Sequence, residues 1–515
     1  MRRDDSFIGR FLLLCGSNLL LQGFGFLYRI LLSRYAGAEG LGVYRLASSI
    51  YTILHATCLS GVTMVCTRFA ASWKAQGKGG AIGSLVRFAF FIFVSLFVLI
   101  SSICWFGRDD IGQVLVGDRR VIACIPFMLA CLLLTGVENI FKSTMVGLNR
   151  IDNAVVSELT EQIVRMLAAV VLLAEFSSED LGHTAVLIFC ASVISEVVSA
   201  SIMTVMYLSM LRPNRAAPPS GYKKAVLSTA APVSASALCG NFISSAGAIV
   251  LPKCLVYSGL SYSQAVSALG ALSGVAAPII TLPMALIASL CTVTMPEVSA
   301  RYSRNSPEQL CMFSEKVLRS AGLIGIPLTA LLIPLAPVIA RLFFYQAVEP
   351  RVFWLMGISC VLSYFQMVTG CLLNGSGRQL WNAVTVSVGE LIQLGLVCLL
   401  SSQPNLRIYG YVLAQCIAPF LVTACNLSVL FRAHIVRASI LRVLPEPIVC
   451  GALLYLWTRI FFAGYAGLFS QWAALLLTIA TSLLLYRLLL RMLDVDLRRY
   501  LSVRQRITAF HPMFY

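Results

Sequence analysis

Charged residues are what this sequence of 515 residues has least of: they make up 12%, against 58% hydrophobic residues and a mean hydropathy of +0.85. Soluble domains carry about 25% charged residues, and half that share cannot cover a surface that faces water. The composition therefore excludes a soluble globular enzyme, a disordered chain and a nucleic-acid-binding protein. The apolar runs are long and continuous rather than alternating, so they predict an all-α polytopic membrane protein and not a β-barrel.

Signatures of catalysis and of metal binding are also missing. The sequence has no Gly-x-x-x-x-Gly-Lys-Ser/Thr loop, no His-Glu-x-x-His and no Gly-x-Ser-x-Gly. Its 17 cysteines include no Cys-x-x-Cys pair, and its four histidines are far apart along the chain. We therefore predict that the protein is not an enzyme and has no catalytic residue, no metal ligands and no cofactor.

The apolar runs predict about fourteen transmembrane helices, since a helical span needs about 20 apolar residues. The predicted spans are residues 8–32, 43–67, 86–106, 121–146, 154–174, 184–210, 225–250, 266–294, 317–343, 352–375, 381–401, 408–431, 444–463 and 471–490. Proline and glycine interrupt the seventh, eighth and ninth of them, which indicates either hinges or packing kinks.

A Pro-rich basic stretch after the sixth span suggests how the chain divides. We predict an N-terminal six-helix lobe (1–211), a cytoplasmic linker (212–224), a C-terminal six-helix lobe (225–432), and two further helices with a basic tail (433–515).

The distribution of Lys and Arg predicts the orientation. The net charge is +17, and with both ends placed inside, 26 of the 39 basic residues fall on the inner side and 10 on the outer side. Basic loops stay in the cytoplasm, so we expect a multi-pass protein of the cell membrane with both termini cytoplasmic.

A short internal repeat supports two related lobes. Residues 153–161 (Asn-Ala-Val-Val-Ser-Glu-Leu-Thr-Glu) align with residues 382–390 (Asn-Ala-Val-Thr-Val-Ser-Val-Gly-Glu) at an offset of 229. Each copy starts an odd-numbered span after a short turn, so both copies have the same orientation. This predicts two six-helix halves in parallel repeat around a central cavity, an arrangement suited to alternating-access transport.

Basic residues within or near the spans are candidates for binding an anion. Arg29 is either a cavity cation that binds phosphate through paired hydrogen bonds or an arginine that reaches the membrane surface. Lys253 is its possible counterpart in the second half, and His55 is either a cavity residue or a hydrogen-bonded core histidine. Arg34 and Arg45 are interpreted as ordinary surface charges.

Acidic residues within the spans are candidates for coupling to an ion. Glu138 lies four residues before Lys142, and Glu158 and Glu161 precede Arg165 on one helix face. These residues form either structural ion pairs or a site for a coupling proton or other cation. Glu390, the repeat counterpart of Glu161, is a further candidate.

Four short motifs resemble a known family. Residues 25–29 read Gly-Phe-Leu-Tyr-Arg, and residues 33–44 read Ser-Arg-Tyr-Ala-Gly-Ala-Glu-Gly-Leu-Gly-Val-Tyr. Residues 292–299 read Thr-Val-Thr-Met-Pro-Glu-Val-Ser, and residues 373–377 read Leu-Asn-Gly-Ser-Gly. They resemble the stage V sporulation protein B and polysaccharide-biosynthesis flippases of the multidrug/oligosaccharidyl-lipid/polysaccharide exporter superfamily, which are related to lipid II flippases.

The resemblance implies a flippase that moves an undecaprenyl-diphosphate-linked oligosaccharide or peptidoglycan precursor for cell-wall, spore-cortex or polysaccharide synthesis. Arg29 matches a basic position of the family, whereas Gln22 stands where many relatives have arginine, and His55 falls near a second-span arginine. The expected partners are the lipid-linked glycan, the bilayer and cell-wall synthesis enzymes, with the protein itself monomeric. The alternatives are a cation-coupled multidrug exporter of the same fold and a non-transporting envelope assembly protein.

Overall fold

The computed structural model describes residues 4–176, 180–210, 218–304, 306–437 and 445–492. Residues 212–217 of the predicted linker 212–224, the junction 438–444 and the basic tail 493–515 lie outside the described residues. The predicted boundaries between lobes therefore stay predictions.

The described residues form helices and no strand, which confirms the all-α prediction. The main helices are α1 (Asp4–Ala75), α2 (Ile82–Phe106), α3 (Ile125–Gly147), α4 (Ile151–Phe176), α5 (Leu181–Met210), α6 (Tyr222–Tyr257), α7 (Tyr262–Gly270), α8 (Met284–Ser303), α9 (Pro307–Phe344), α10 (Pro350–Gly375), α11 (Gln379–Ser401), α12 (Ile408–Arg432), α13 (Pro445–Leu468) and α14 (Gln471–Met492).

Within these described ranges, twelve helical segments are long and apolar enough to cross a membrane. The difference from the fourteen predicted spans has two causes. The two arms of α1 count as one segment, and α4 is not among the twelve because it carries Glu158, Glu161 and Arg165 near its middle. The chain is thus a multi-pass membrane protein.

The loop expected between the first two predicted spans is wrong, because the two helices meet at a kink of one residue. Together they make up α1, and the backbone between them leaves helical geometry only at Gly37, where φ is 63° and ψ is −174°. Glycine reaches this region of backbone space without a steric penalty, so a single residue reverses the chain direction. The side of the molecule at this bend is called here the Gly37 end.

The eighth predicted span is broken rather than continuous. Helix α7 ends at Gly270, a π-helical turn and a four-residue helix follow, and α8 begins only at Met284. Pro278 and Pro283 lie in this break, and a proline has no N–H to donate to the preceding turn. By contrast, α6 and α9 continue through their internal prolines.

The internal repeat has the same local structure in both copies. The side chain of Asn153 donates to the sulfur of Met145 (3.4 Å), and that of Asn382 donates to Oδ1 of Asn374 (3.2 Å). Each acceptor lies eight residues earlier, at the end of the preceding helix. The turns between these helices contain Asn149 and Gly377, both with positive φ. The sequence match therefore corresponds to a repeated helix–turn–helix.

Close helix packing predicts a destabilising substitution at Gly136 of α3. A Cβ atom there would lie 1.9 Å from the ring of Phe93 in α2, which is fully buried. Overpacking of this kind costs about 1–3 kcal/mol, so we expect Gly136→Ala to lower the thermal unfolding midpoint by several degrees. Gly83→Ala, where a Cβ would meet nothing within 4 Å, is the control and should unfold like the wild type. Equal midpoints for the two variants would contradict the packing argument.

Candidate functional site

Two arginines on the two arms of α1 lie within electrostatic range of each other and have no acidic partner among the described residues. Arg29 lies on the first arm and Arg45 on the second, and both side chains are exposed. Arg45 and the hydroxyl of Tyr44 lie within electrostatic range of Arg29. No carboxylate of the described residues forms an ion pair with either guanidinium. Two adjacent cations repel each other, so this pair favours an anion between them.

The second half of the chain also approaches these arginines. The hydroxyl of Tyr411, on α12, lies within electrostatic range of Arg45 and accepts a hydrogen bond from Nε2 of Gln415 (2.9 Å). Arg45 therefore lies where the two predicted halves face each other. We call Arg29, Arg45 and Tyr411 the basic site.

The other predicted cavity residues lie along α1 at different distances from Arg29. Gln22 is half-buried and precedes Arg29 by seven residues, which places it on the same helix face two turns away. His55 is also half-buried, and its ring packs at 6.1 Å from that of Tyr51. His55 follows Arg45 by ten residues, a rise of about 15 Å along the second arm.

Lys253 is engaged in a contact between the halves. At the Gly37 end, its ammonium group donates to the carbonyl oxygens of Val114 (3.0 Å) and Leu115 (2.7 Å). Lys253 also borders an apolar cavity of about 450 Å³ beside Ile53 and Phe242. Two hydrogen bonds to backbone carbonyls leave this cation less available to a substrate than Arg29 is.

A second set of polar contacts closes the Gly37 end. Glu39, just after the bend of α1, accepts from the hydroxyl of Ser263 in α7 (2.5 Å) and pairs with Arg120 (2.8 Å). Arg120 also pairs with the buried Asp118 (2.8 Å). The structure is therefore closed between α1 and α7 at this end.

Arg34 is exposed, as expected of a surface charge, but it also contacts the end of α9. Its Nε donates to the carbonyl oxygen of Phe343 (3.1 Å), and its guanidinium lies 4.8 Å from the ring centre of Tyr345. The neighbouring Ser33 donates to the carbonyl oxygen of Phe344 (3.0 Å). These contacts join α1 to the end of α9.

The acidic residues of the first half form one cluster rather than separate pairs. Lys142 of α3 lies 3.8 Å from Glu138 on its own helix and 2.7 Å from Glu158 of α4. Arg165 pairs with Glu161 one turn away and lies 3.7 Å from Glu196 of α5. We call Glu138, Glu161 and Glu196, with these two cations and Glu158, the acidic cluster.

Neutral side chains support the acidic cluster on three helices. The hydroxyl of Ser157 donates to Glu138 (3.1 Å) and lies 2.7 Å from the hydroxyl of Ser199. Nε of Arg165 donates to Ser195 (3.3 Å). The three glutamates can each bring a carboxylate oxygen within 4.8 Å of the others. Helices α3, α4 and α5 thus converge on a small polar volume inside the first half.

Glu390 lies apart from this cluster, although it is the repeat counterpart of Glu161. It faces α6 at Gly240, where an added Cβ would lie 3.7 Å from its Oε2. That oxygen is buried and has no hydrogen-bond partner among the described residues.

The relation of the chain to known proteins follows from its sequence. Residues 10–302 match the family described as "Polysaccharide biosynthesis protein". This match covers more than half of the chain. The chain belongs to that family. The matched region includes both arginines of the basic site and the whole acidic cluster, whereas Tyr411 lies beyond it.

Individual members and structures extend the likeness over most of the chain. "Stage V sporulation protein B" of Bacillus subtilis (strain 168) is 21% identical over 451 residues, which cover 86% of this chain and 85% of that protein. A structure of "Lipid II flippase MurJ, inward closed conformation" superposes with a TM-score of 0.70 at 12% identity, over 94% of this chain and 99% of that one. An inward-facing multidrug resistance MATE family transporter superposes with a TM-score of 0.68 at 15% identity, over 81% and 95%. These structures share the fold.

Three residues of these sites, Arg45, Tyr411 and Glu196, were not identified from the sequence. Arg45 was interpreted as a surface charge because it follows a predicted loop, and that loop does not exist. Glu196 lies inside an apolar span and was not singled out. Serines at positions 192, 195 and 199 flank it at helical spacing, and this polar stripe inside a span was the available signal.

Proposed function

We propose that this protein is a flippase that moves an undecaprenyl-diphosphate-linked oligosaccharide or peptidoglycan precursor across the cytoplasmic membrane by alternating access. The observation that carries the proposal is the pair Arg29 and Arg45, two exposed arginines in electrostatic range of each other. The described residues provide neither with a carboxylate. A diphosphate supplies the missing negative charge.

The chemistry of arginine suits this substrate class. A guanidinium donates two parallel hydrogen bonds and binds phosphate oxygens in a defined orientation. Arg29 and Arg45 lie on the two arms of one bent helix, and Tyr411 approaches from the second half. A headgroup held there contacts both halves, so its binding is sensitive to their relative movement. Gln22 and His55 are proposed to contact the glycan, since their neutral side chains hydrogen-bond to hydroxyl groups.

A multidrug exporter of organic cations is less well supported by the same geometry. A cationic substrate requires carboxylates at the site between the halves. Here that site presents arginines, whereas Glu138 and Glu196 are buried within the first half. We therefore propose an anionic substrate.

The basic loops support an orientation in which the Gly37 end faces the outside of the cell and both termini face the cytoplasm. In that orientation the contacts of Lys253 and Glu39 close the outer side. We propose that the described conformation is the one that receives the lipid from the cytoplasmic leaflet.

Translocation in proteoliposomes tests the proposed function. Purified full-length protein is reconstituted, and fluorescent lipid II or a simpler fluorescent undecaprenyl-diphosphate sugar is supplied. Transfer between leaflets is followed by quenching with a reagent that does not cross membranes, and vesicles without protein are the control. We expect one of the two lipids to be transferred, and the preferred lipid identifies the glycan. Transfer of neither by folded protein, together with export of a cationic dye, would instead indicate a drug exporter.

A further inference from the structure

A buried oxygen atom of Glu196 lacks a partner. The side chain of Glu196 points from α5 into the acidic cluster, and the residue is only 5% exposed. Its Oε2 atom has no hydrogen-bond partner within the described part of the chain. The other oxygen is 3.7 Å from Arg165, beyond hydrogen-bond distance. A buried carboxylate without a close donor is unstable unless something further binds it.

The charges of the acidic cluster do not balance. Four glutamates, at positions 138, 158, 161 and 196, share two cations, Lys142 and Arg165. The cluster therefore carries two formal negative charges in excess. Three of the four carboxylates are largely buried, with side chains 2%, 13% and 6% exposed for Glu138, Glu161 and Glu196. Water cannot compensate for this excess as it does at a surface.

The second half shows that helix packing alone does not require these charges. In the corresponding helices α10, α11 and α12, the amide of Asn426 donates to Thr369 (3.3 Å) and accepts from the hydroxyl of Thr385 (2.8 Å). This neutral network connects the same three helices of the repeat. The carboxylates in the first half therefore serve a purpose other than joining helices.

A second buried polar group approaches the acidic cluster from α1. The hydroxyl of Tyr28 is buried close to Ser192 and lies within electrostatic range of Arg165. Tyr28 is 8% exposed and adjoins Arg29 of the basic site. The Tyr28 oxygen belongs to α1 and not to the three helices that carry the glutamates.

We propose that Glu138, Glu161 and Glu196 form a binding site for a small metal cation. The spacing of the carboxylate oxygens, all within 4.8 Å of one another, fits an ion that bonds oxygen at about 2.3–2.6 Å. The hydroxyl oxygen of Ser157, which donates to Glu138, is a neutral ligand beside them.

Every helix packed around the site contributes a titratable or charged group. These groups are Tyr28 and Tyr51 on α1, Cys131, Glu138 and Lys142 on α3, Glu158, Glu161 and Arg165 on α4, and Glu196 on α5.

Thermal unfolding of the purified full-length protein in detergent tests binding without any transport assay. Midpoints are measured with NaCl or CaCl₂ against choline chloride at constant ionic strength, and then between pH 6 and pH 8 without metal. The variants are Glu196→Gln and, as the control, Glu297→Gln, since Glu297 pairs with Arg301 outside the cluster at the i, i+4 spacing that Glu161 and Arg165 have within it.

If a metal ion binds, a saturating concentration should raise the midpoint of the wild type and of Glu297→Gln by about 3 °C, but not that of Glu196→Gln. A wild type whose midpoint is insensitive to metals would overturn the proposal. If that midpoint also rises as the pH falls, and this slope is lost in Glu196→Gln, the cluster holds a proton in place of a metal ion.

Coupling of this site to lipid movement rests on the proposed flippase function. In proteoliposomes, we expect a gradient of the bound cation to accelerate lipid transfer by the wild type but not by Glu196→Gln. Cation binding in detergent without any lipid transfer in proteoliposomes would support the cation site and reject the flippase function. Transfer that proceeds equally in Glu196→Gln would reject coupling through this site.

Discussion

Arg29→Ala is expected to reduce transfer of a diphosphate-linked lipid by about 30-fold at subsaturating substrate. Losing a hydrogen bond to a charged group costs about 2 kcal/mol, and each 1.4 kcal/mol is a factor of ten in affinity. Arg29→Lys keeps the charge but loses the paired hydrogen bonds, so its transfer rate should lie between those of the wild type and Arg29→Ala. Initial rates in proteoliposomes measure these differences.

Arg87→Ala is the matched control for this prediction. Arg87 is an exposed arginine of α2 that donates only to its own helix, at the carbonyl oxygen of Gly83 and the hydroxyl of Ser84. Its transfer rate should match the wild type. If Arg29 and Arg45 bind one diphosphate, the fold-reduction in transfer rate of the double variant should be smaller than the product of the fold-reductions of the two single variants. Wild-type transfer by Arg29→Ala would remove the basis for a diphosphate substrate.

Gly270→Ala is expected to prevent closure at the Gly37 end and thereby to abolish transport. A Cβ at residue 270 would lie 1.8 Å from the carbonyl oxygen of Ala38 and 2.6 Å from the amide nitrogen of Gly42. Both are backbone atoms of α1, so no side chain can move to accommodate the methyl group. The added methyl group must therefore push the two halves apart at the contact between residue 270 and α1. Gly247→Ala in α6, where a Cβ would meet nothing within 4 Å, is the control.

Cross-linking measures this closure directly. Glu39→Cys and Ser263→Cys replace two side chains that lie 2.5 Å apart across the contact. A short thiol cross-linker should join them efficiently in the Gly247→Ala background, and at least ten-fold less in the Gly270→Ala background. Intact size-exclusion behaviour of both proteins separates this effect from unfolding. Equal cross-linking in the two backgrounds would show that the glycine contact does not control closure.

The helices themselves were predictable because their signal is local. Apolar runs longer than a membrane span, the prolines of the eighth span and the offset of 229 residues between the repeats are all visible in the sequence. The bend at Gly37 was not predictable, since the stretch 33–42 reads equally as a loop or as a helix with one glycine. Only its packing against α7 and α9 decides between them.

The sites were predictable in part, for a related reason. Arg29, Glu138 and Glu161 stand out because charges inside apolar spans are costly. Which charges meet depends on how α1, α3, α4 and α5 pack, and sequence spacing shows only neighbours on one helix. The sequence therefore predicted the pair of Glu138 and Lys142. It did not predict the contacts of Glu158 with Lys142 or of Glu196 with Arg165, which join different helices.

The neutral network of Thr369, Thr385 and Asn426 predicts that the two copies of the repeat differ in stability. Replacing buried ion pairs by neutral groups is often stabilising, so the second copy holds its three helices together at lower cost than the first. The first copy should therefore open at a lower temperature or denaturant concentration than the second. We therefore expect the copy with the neutral network to stay folded while the copy with the acidic cluster opens.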